Sequence, residues 1–219
     1  MTPAAIVFDF DGTIADTEWP VYVVARDAFR AHGLDLELGE WVGCIGLADN
    51  MSLAELIEEA LGAPADPGIV AHATTRRADW IDRMEILPGV REVIATAVAA
   101  DVPLAIASSS PRSWVEPHLR RLGLIEQFVA VRTRDHVDRG KPAPDLFLAA
   151  AAALGVDPGA AVAIEDSRHG CAAAKAAGMT CVVVPNQITT LDQPDDADLL
   201  LESLVDFPFA RFGLAPPMS

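Results

Sequence analysis

The sequence predicts an α/β fold: a Rossmann-like parallel sheet core with helices on both faces, plus an all-helical cap inserted after the first strand. Short apolar runs of strand length recur along the chain, and helix-patterned stretches separate them. Each run ends in polar residues, and between residues 16 and 87 only helical patterns occur. Strands that alternate with helices of this length are typical of a parallel sheet covered on both faces.

Four apolar runs are predicted to be buried strands, and they comprise residues 4–8, 103–107, 161–164 and 180–184. Helical patterns follow or separate them at residues 90–100, 112–122, 144–154 and 168–177. Polar residues at the carboxyl ends of parallel strands mark the place where open α/β sheets bind ligands. The predicted architecture therefore places a ligand-binding site at the carboxyl ends of these strands.

Two domains are predicted. Residues 1–15 and 88–219 form the α/β catalytic core, and residues 16–87 form the helical cap. The cap contains helical patterns at residues 20–31, 52–61 and 67–84 and no convincing buried strand. Pro88 and Gly89 mark the return of the chain to the sheet domain.

Composition excludes several classes of protein. The chain has 219 residues, 51% of them hydrophobic, which is enough for a core without disulfides or a structural metal. A formal net charge of -16, with no cluster of Lys or Arg, argues against nucleic acid as a partner. No apolar stretch approaches the roughly 20 residues of a membrane span. The N-terminus lacks the basic segment of a secretory signal, so we expect a cytoplasmic protein, either a monomer or a weak homodimer.

The first candidate motif is DFDGT, in which Asp9 and Asp11 follow the first predicted strand. The two-residue period of a strand directs both carboxylates toward the same region. A turn in which an aspartate caps the next helix is the alternative. Burying two charges at one strand end is costly without a cation or a partner. The motif therefore indicates acid–base chemistry or a metal site.

Polar residues also follow two of the other predicted strands, and a lysine lies in the chain between those strands. Ser108 and Ser109 come after the second strand and could donate to an anion, although serines there also serve as helix N-caps. Lys141, one of only two lysines, lies in GKPAPD, where a solvated surface lysine is the alternative. Glu165 and Asp166 supply hard oxygen ligands suited to Mg²⁺, although a helix N-cap at Asp166 is the alternative. The combination favours a functional site.

These motifs, DFDGT, the first Ser of the SSS in IASSS, the Lys of GKPAPD and the ED of AIEDS, resemble in order the four motifs of the haloacid dehalogenase superfamily. The resemblance covers nearly the whole chain, and the helical insert is similar to the cap of the branch that contains β-phosphoglucomutase and many small-molecule phosphatases. It implies that Asp9 is the nucleophile and Asp11 the general acid and base. It also implies a phosphate-binding set of Gly12, Thr13, Ser108, Ser109 and Lys141, the last also catalytic, and a Mg²⁺ site formed by Asp9, Asp11, Glu165 and Asp166.

The reaction that the resemblance implies is hydrolysis of a small-molecule phosphate ester. Dehalogenases of the family lack an acid at the position of Asp11, which argues against carbon–halogen cleavage. A β-phosphoglucomutase-type mutase is a weaker alternative, because Val21 and Asp49 stand where that enzyme carries a cap histidine and a phosphate-gripping arginine. A non-catalytic phosphate-sensing or protein-binding module is the alternative of another class.

The substrate is less well defined. Cap residues near the cleft, namely Glu18, Trp19, Asp49 and Asn50, are predicted to set specificity, with ordinary packing and solvation as the alternative. The C-terminal part contains VVVPN followed by DLLLESLVDF and RFGL, and it resembles the branch that includes pseudouridine 5′-phosphatase. A sugar or nucleoside monophosphate is therefore the expected substrate class.

Overall fold

The computed structural model describes residues 2–42 and 51–215. Its centre is a six-stranded sheet in the order β3-β2-β1-β4-β5-β6, and every neighbouring pair is parallel. The strands are β1 (Ala5–Phe8), β2 (Leu104–Ala107), β3 (Ala130–Arg132), β4 (Ala161–Glu165), β5 (Thr180–Val183) and β6 (Leu199–Leu200). The predicted α/β fold with a parallel sheet is confirmed, whereas the short strands β3 and β6 were not predicted.

Eight α-helices lie within the described residues. They are α1 (Glu18–Ala31), α2 (Leu38–Val42), α3 (Leu53–Leu61), α4 (Pro67–Ile81), α5 (Val90–Ala99), α6 (Arg112–Arg121), α7 (Asp145–Leu154) and α8 (Arg168–Ala176). Seven of them correspond to predicted helical stretches, and the five-residue α2 does not, because one turn of helix carries too little periodicity to detect. No helix in the described ranges combines the length and apolar character that crossing a membrane requires.

The central strands β1, β2, β4 and β5 are buried on both faces because their successive side chains alternate between two apolar clusters. On one face Ile6 and Phe8 of β1 belong to the same cluster as Val93 of α5 and Leu119 of α6. On the other face Val7 belongs to the cluster built on α7 and α8. Double-sided burial explains why each strand reads as a continuous apolar run rather than as an alternating one.

Helices α1 to α4 occupy the chain between β1 and α5, and α1, α3 and α4 form a separate apolar cluster. Its buried members include Phe29 of α1, Ile57 of α3 and Ala73 of α4. The chain leaves and re-enters the sheet region at one place, because Ala15 forms an antiparallel bridge with Ile86. The predicted division into a core and a cap of residues 16–87 remains a prediction.

Local sequence signals explain where two of these helices begin. Ser52 and Glu55 form a reciprocal capping box at the start of α3. Asp66 accepts hydrogen bonds from two backbone amides at the start of α4, and Pro67 occupies the first helical position. Helix α1 starts at Glu18, two residues before the predicted start at Pro20, because proline is tolerated in the first turn of a helix.

Candidate active site

The candidate site lies at the carboxyl ends of three adjacent strands. Strand β1 lies between β2 and β4, so the residues that follow each strand meet at one edge of the sheet. Asp9 follows β1, Ser108 follows β2, and Glu165 is the last residue of β4. The structure therefore brings together the motifs that the sequence analysis selected.

A buried lysine joins the first and last of these motifs. The Lys141 ammonium donates to Asp9 Oδ1 and, at 2.5 Å, to Glu165 Oε1. All three side chains are buried. Glu165 Oε2 accepts from the backbone amides of Asp166 and Ser167 and from the Ser167 hydroxyl. Both Glu165 oxygens are thus engaged, and this carboxylate orients Lys141 toward Asp9.

The charges in this group act on one another strongly because water does not screen them. Burial lowers the pKa of Lys141, but the carboxylates of Asp9 and Glu165 outweigh that effect and hold the Lys141 pKa above its usual range. Burial raises the pKa of Asp9; Lys141 opposes the rise, and the Glu165 and Asp11 carboxylates add to it. One ammonium therefore does not compensate the carboxylates around it.

Three carboxylates form a candidate metal site. Asp9, Glu165 and Asp166 each offer an oxygen, these atoms lie within 4.8 Å of one another, and all three residues are buried. Burial and the neighbouring Glu165 and Asp9 carboxylates raise the pKa of Asp166 well above its ordinary value. A buried excess of negative charge presented by hard oxygen atoms is the environment that Mg²⁺ fits. The Asp11 carboxylate is not one of the three in this group, and the role of Asp11 as a metal ligand remains a prediction.

Gly12, Thr13 and Asn186 surround the Asp166 carboxylate. Asn186 Nδ2 donates to Asp166 Oδ2 at 2.8 Å, and the Thr13 hydroxyl lies 3.5 Å from Oδ1. A Cβ atom on Gly12, which has φ +79°, would lie 2.5 Å from Asp166 Oδ2. Glycine at position 12 thus allows the first motif to approach Asp166. The predicted phosphate-binding role of Gly12 and Thr13 remains a prediction.

Asn186 was not among the predicted site residues. It follows β5 in the sequence VVVPN, so a polar residue after an apolar run was the available signal. Its side-chain oxygen accepts from the amides of Ile188 and Thr189, which fixes the amide nitrogen toward Asp166. A residue that orients a carboxylate of the candidate metal site in this way contributes to the geometry of the site.

The Asp11 carboxylate is held by four donors. Oδ1 accepts from the Thr17 hydroxyl at 2.9 Å and the Trp114 indole N–H at 2.8 Å. Oδ2 accepts from the Ser110 hydroxyl at 2.6 Å and more weakly from Ser108 at 3.4 Å. Hydrogen bonds to a carboxylate are stronger than those between neutral groups. These four donors fix the orientation of the Asp11 carboxylate, which lies outside the group of three carboxylates that forms the candidate metal site.

The predicted serines occupy different environments. Ser108 is completely buried, and its hydroxyl accepts from the Ser110 amide at 3.0 Å. Ser109 and Ser110 line the cleft next to Asp11. The polar loop after β2 thus contacts Asp11 through Ser108 and, at a shorter distance, through Ser110, which was not predicted. Phosphate binding by Ser108 and Ser109 remains a prediction.

A cleft of about 680 Å³ opens above the carboxylates, between the strand ends and helices α1, α3 and α4. Its polar lining includes Asp9, Asp11, Glu18, Arg77, Ser109, Ser110, Lys141 and Asp166. A cleft of this volume accommodates a small organic molecule. The site therefore joins charged chemistry at its base to a space for the rest of a substrate.

The four residues predicted to set specificity lie in different places, and their role remains a prediction. Glu18 lines the cleft, where burial, followed by the nearby Asp11 and Asp9 carboxylates, raises its pKa to about 8, while Arg77 acts in the opposite sense. Trp19 is not among the described residues that line the cleft, and its ring packs 5.7 Å from that of Tyr22. Asp49 and Asn50 lie outside the described residues.

Arg77 of α4 is a cleft residue that the sequence analysis missed. Its guanidinium lies 5.2 Å from the centre of the Trp114 ring, so it stacks on an aromatic side chain of α6. The periodicity of α4 predicts a helix but does not show which of its side chains reaches the strand ends. Position 49, where β-phosphoglucomutase carries a phosphate-gripping arginine, is an aspartate in this sequence, but Arg77 supplies a cation to the cleft from a different element.

Comparison with known proteins identifies the class to which this site belongs. A family-wide sequence model described as haloacid dehalogenase-like hydrolase matches residues 6–184. The putative phosphatase YhcW of Bacillus subtilis is 39% identical over 209 residues, which cover 94% of each chain. Fructose-1-phosphate phosphatase YqaB of Escherichia coli is 36% identical over 183 residues, covering 83% of this chain and 96% of YqaB. The chain belongs to the haloacid dehalogenase-like hydrolases.

Solved structures agree with this assignment. CbbY from Rhodobacter sphaeroides, in complex with xylulose-(1,5)-bisphosphate, has a TM-score of 0.78 and 29% identity, and the match covers 94% of this chain and 97% of CbbY. A β-phosphoglucomutase from Clostridium difficile, at 23% identity and a TM-score of 0.74, shares the fold over 97% of this chain and 96% of its own. The predicted family is confirmed, and so is the predicted enzyme class, a haloacid dehalogenase-like phosphatase.

Proposed function

We propose that this protein is a Mg²⁺-dependent phosphomonoester hydrolase that acts on a small sugar or nucleoside phosphate through an aspartyl-phosphate at Asp9. The observation that carries the proposal is the position of Asp9, which contacts the Lys141 ammonium and also belongs to the buried carboxylate group with Asp166. A carboxylate held by cations is suited to attack an anionic phosphate, because the cations offset the repulsion between the two.

In the first step an Asp9 carboxylate oxygen attacks the phosphorus atom in line with the ester oxygen. The bond between phosphorus and that oxygen breaks, and its electron pair stays on the oxygen. The protonated Asp11 carboxyl donates its proton to the departing oxygen. Lys141 stabilises the negative charge on the transferring phosphoryl group. The products of this step are the alcohol and the aspartyl-phosphate.

In the second step water hydrolyses the aspartyl-phosphate. The water oxygen attacks phosphorus, the Asp11 carboxylate accepts a proton from that water, and the bond between phosphorus and the Asp9 oxygen breaks. Asp9 returns as a carboxylate and Asp11 as an acid. One residue thus serves both half-reactions, with inorganic phosphate as the second product.

Asp9 and Asp166 would hold Mg²⁺, with Glu165 beside them in the same carboxylate group. When bound, the metal neutralises charge on the phosphoryl oxygens during transfer. Both oxygens of Glu165 already accept hydrogen bonds, so we assign this residue mainly to the orientation of Lys141.

The proposed substrate class has two sources of support. Relatives of this chain include the fructose-1-phosphate phosphatase YqaB and hexitol phosphatase B of Escherichia coli. The cleft carries Glu18, whose carboxylate could accept from sugar hydroxyls, and Arg77, whose guanidinium could donate to them. A nucleoside phosphate is retained because the C-terminal sequence resembles the branch that includes pseudouridine 5′-phosphatase. The formal net charge of -16 is consistent with the further proposal of a cytoplasmic monomer or weak homodimer.

Arg77 also keeps a mutase as a second candidate. A phosphosugar mutase must hold a bisphosphate while it reorients, which requires a cation away from the reacting phosphorus. Arg77 lies in the cleft on α4, whereas Lys141 is engaged with Asp9 and Glu165. Hydrolysis remains the preferred function because the relatives named above are phosphatases.

The proposal is tested by measuring phosphate release from fructose 1-phosphate, hexitol phosphates, nucleoside monophosphates including pseudouridine 5′-phosphate, and β-glucose 1-phosphate. Each substrate is assayed with Mg²⁺ and with a chelator, for the wild type and for Asp9→Asn. We expect metal-dependent release that Asp9→Asn abolishes. Conversion of β-glucose 1-phosphate to glucose 6-phosphate without phosphate release would favour the mutase, and metal-dependent binding without turnover would favour a phosphate-sensing module.

A further inference from the structure

A tryptophan outside all the predicted motifs contacts the acid and base of the proposed reaction. Trp114 belongs to α6, and its indole N–H donates to Asp11 Oδ1 at 2.8 Å. Thr17 donates to the same oxygen, and Ser110 donates to Oδ2. Of these three donors, only Trp114 belongs to a helix, α6, whereas Thr17 and Ser110 lie in loops. The orientation of the Asp11 carboxylate is thus fixed by a residue on a rigid element.

The indole ring is itself held by contacts on more than one side. The Arg77 guanidinium of α4 lies 5.2 Å from its centre. The His118 ring, one turn further along α6, packs edge to face at 4.5 Å. His118 in turn stacks on Phe10, the residue between Asp9 and Asp11, at 6.4 Å. These contacts restrict the ring to one orientation, which is what a positioning residue requires.

We propose that Trp114 is a positioning residue that sets the direction of Asp11 for proton transfer and, through Arg77, makes that direction depend on helix α4. The inference rests on the proposed function, because Asp11 is an acid and base only in that reaction. The proton must reach the ester oxygen while the bond to phosphorus breaks, so the carboxyl must lie within hydrogen-bonding distance at that moment. A donor fixed on Oδ1 restricts the orientations of the carboxyl group, so a larger share of them lies within hydrogen-bonding distance of the ester oxygen.

This role has a chemical signature in the leaving group. The alkoxide of a sugar or other alcohol is a poor leaving group and needs the proton from Asp11. The 4-nitrophenolate of 4-nitrophenyl phosphate departs without it. The quantity to compare is kcat/KM, because it includes the steps up to formation of the aspartyl-phosphate and excludes its hydrolysis. Loss of positioning therefore lowers kcat/KM for an alkyl ester far more than for the aryl ester.

Trp114→Phe removes the N–H donor and keeps an aromatic ring between Arg77 and His118. We expect kcat/KM to fall roughly tenfold for the fastest alkyl ester of the substrate panel and by less than about twofold for 4-nitrophenyl phosphate, as for loss of one hydrogen bond to the carboxylate that forms as Asp11 gives up its proton. Trp80→Phe, the same change at an exposed position of α4, is the matched control and leaves both values unchanged. Equal losses on the two esters, or no loss on either, would overturn the proposal.

A second variant guards against a folding defect. Benzothienylalanine at position 114 keeps the shape of the bicyclic ring and replaces the N–H with sulfur, so it removes the donor alone. If thermal unfolding shows that Trp114→Phe is not folded, the two esters are compared with the benzothienylalanine variant instead. Equal losses on the two esters, or no loss on either, would again overturn the proposal. A wild type that hydrolyses neither ester refutes the proposed function and this inference together, whereas equal losses in the variant refute the inference only.

The connection to α4 is tested with Arg77→Met, which removes the guanidinium and keeps a long side chain. Acting through Trp114, Arg77 should change the ratio of alkyl to aryl kcat/KM by a larger factor in the wild-type background than in the Trp114→Phe background, where only its contacts with the substrate are lost. Such a double-mutant cycle isolates the coupling between two residues in contact. The same change of ratio in both backgrounds would contradict a path through Trp114.

Discussion

The Lys141 ammonium lies 2.5 Å from Glu165 Oε1, and both side chains are buried. Glu165 is the last residue of β4, and Lys141 precedes α7 in a separate loop. The contact therefore places a cation from the loop before α7 at the carboxyl end of β4. Because Lys141 also contacts Asp9, the Glu165 carboxylate governs the environment of the proposed nucleophile without taking part in bond formation.

Glu165→Gln is expected to lower kcat by roughly 10- to 100-fold with a smaller change in KM. The amide cannot match the carboxylate as an acceptor, because either Lys141 or the backbone amides of Asp166 and Ser167 would then face a donor. Steady-state kinetics on the best substrate measures the effect. Glu59→Gln, on the exposed face of α3, is the control. An unchanged kcat in Glu165→Gln would show that Lys141 is oriented by something else.

Gly170→Ala is expected to destabilise the protein, contrary to the rule for a helical glycine. Alanine normally improves a helix by up to about 1 kcal/mol. Gly170 lies in α8, however, where a Cβ would come within 1.9 Å of the Glu165 carboxyl group. We expect the free energy of unfolding to fall by about 1–3 kcal/mol, with a loss of activity as Glu165 is displaced.

Urea denaturation tests this prediction against a matched change. Gly39→Ala lies in α2, and a Cβ there meets nothing within 4 Å. That control should leave the free energy of unfolding unchanged or slightly higher. A gain of stability in Gly170→Ala equal to that of the control would show that Glu165 has room to move.

Asp166→Asn is expected to weaken Mg²⁺ binding by roughly 10- to 100-fold, because it removes a buried anionic oxygen from the carboxylate group. Asn186→Ala, which removes the donor to Asp166 Oδ2, should weaken binding less. Isothermal titration calorimetry with MgCl₂ measures both affinities. The control is Asp195→Asn, whose side chain is 96% exposed. Wild-type affinity in Asp166→Asn would place the metal elsewhere.

Without Mg²⁺ the free energy of unfolding should fall as pH rises, whereas the stabilisation that Mg²⁺ adds should grow. Burial raises the pKa of Asp9 from 3.8 to about 8 and that of Glu18 from 4.5 to about 8. Between pH 5 and pH 8 these two carboxyl groups bind more protons in the folded protein than in the unfolded chain, so they make the free energy of unfolding fall as pH rises. Burial lowers the pKa of His118, which acts in the opposite sense, but it is one group against two. Mg²⁺ binds the deprotonated carboxylates, so the stabilisation that it provides should grow over the same range.

Urea denaturation at pH 5 and at pH 8, with a chelator or with Mg²⁺, measures these slopes. Glu18→Gln should reduce the loss of stability with pH in the chelator, because one titrating group is gone, and each group contributes at most about 1.4 kcal/mol per pH unit. A free energy of unfolding that rises from pH 5 to pH 8 in the chelator would contradict the sign of the pKa shifts.

The sequence predicted the centre of the site well because strand ends are local features. A buried strand is a continuous apolar run, and Asp9 and Glu165 stand where two such runs end. Parallel strands end at one edge of the sheet, so position along the chain was enough to bring these acids together. Lys141 was found through its rarity and its place in a motif, which are also local features.

The residues that were missed depend on packing between distant elements. Arg77 and Trp114 lie on helices whose patterns predict a buried face but not the partner of that face. The direction of the Asp11 carboxylate likewise follows from Ser110 and Trp114, which only the folded structure brings within hydrogen-bonding distance. Strands β3 and β6 were missed because three and two residues carry too little apolar pattern.

The covalent step at Asp9 is the central claim, and trapping the phosphorylated enzyme tests it most directly. Wild-type protein turning over its best substrate with Mg²⁺ is quenched in acid, digested, and examined by mass spectrometry. We predict one phosphoryl group on the peptide that contains Asp9, assigned to Asp9 by fragmentation and absent from Asp9→Asn. Steady turnover with no phosphorylated peptide under quench conditions that preserve a reference acyl phosphate, or a phosphoryl group on another residue, would contradict the account.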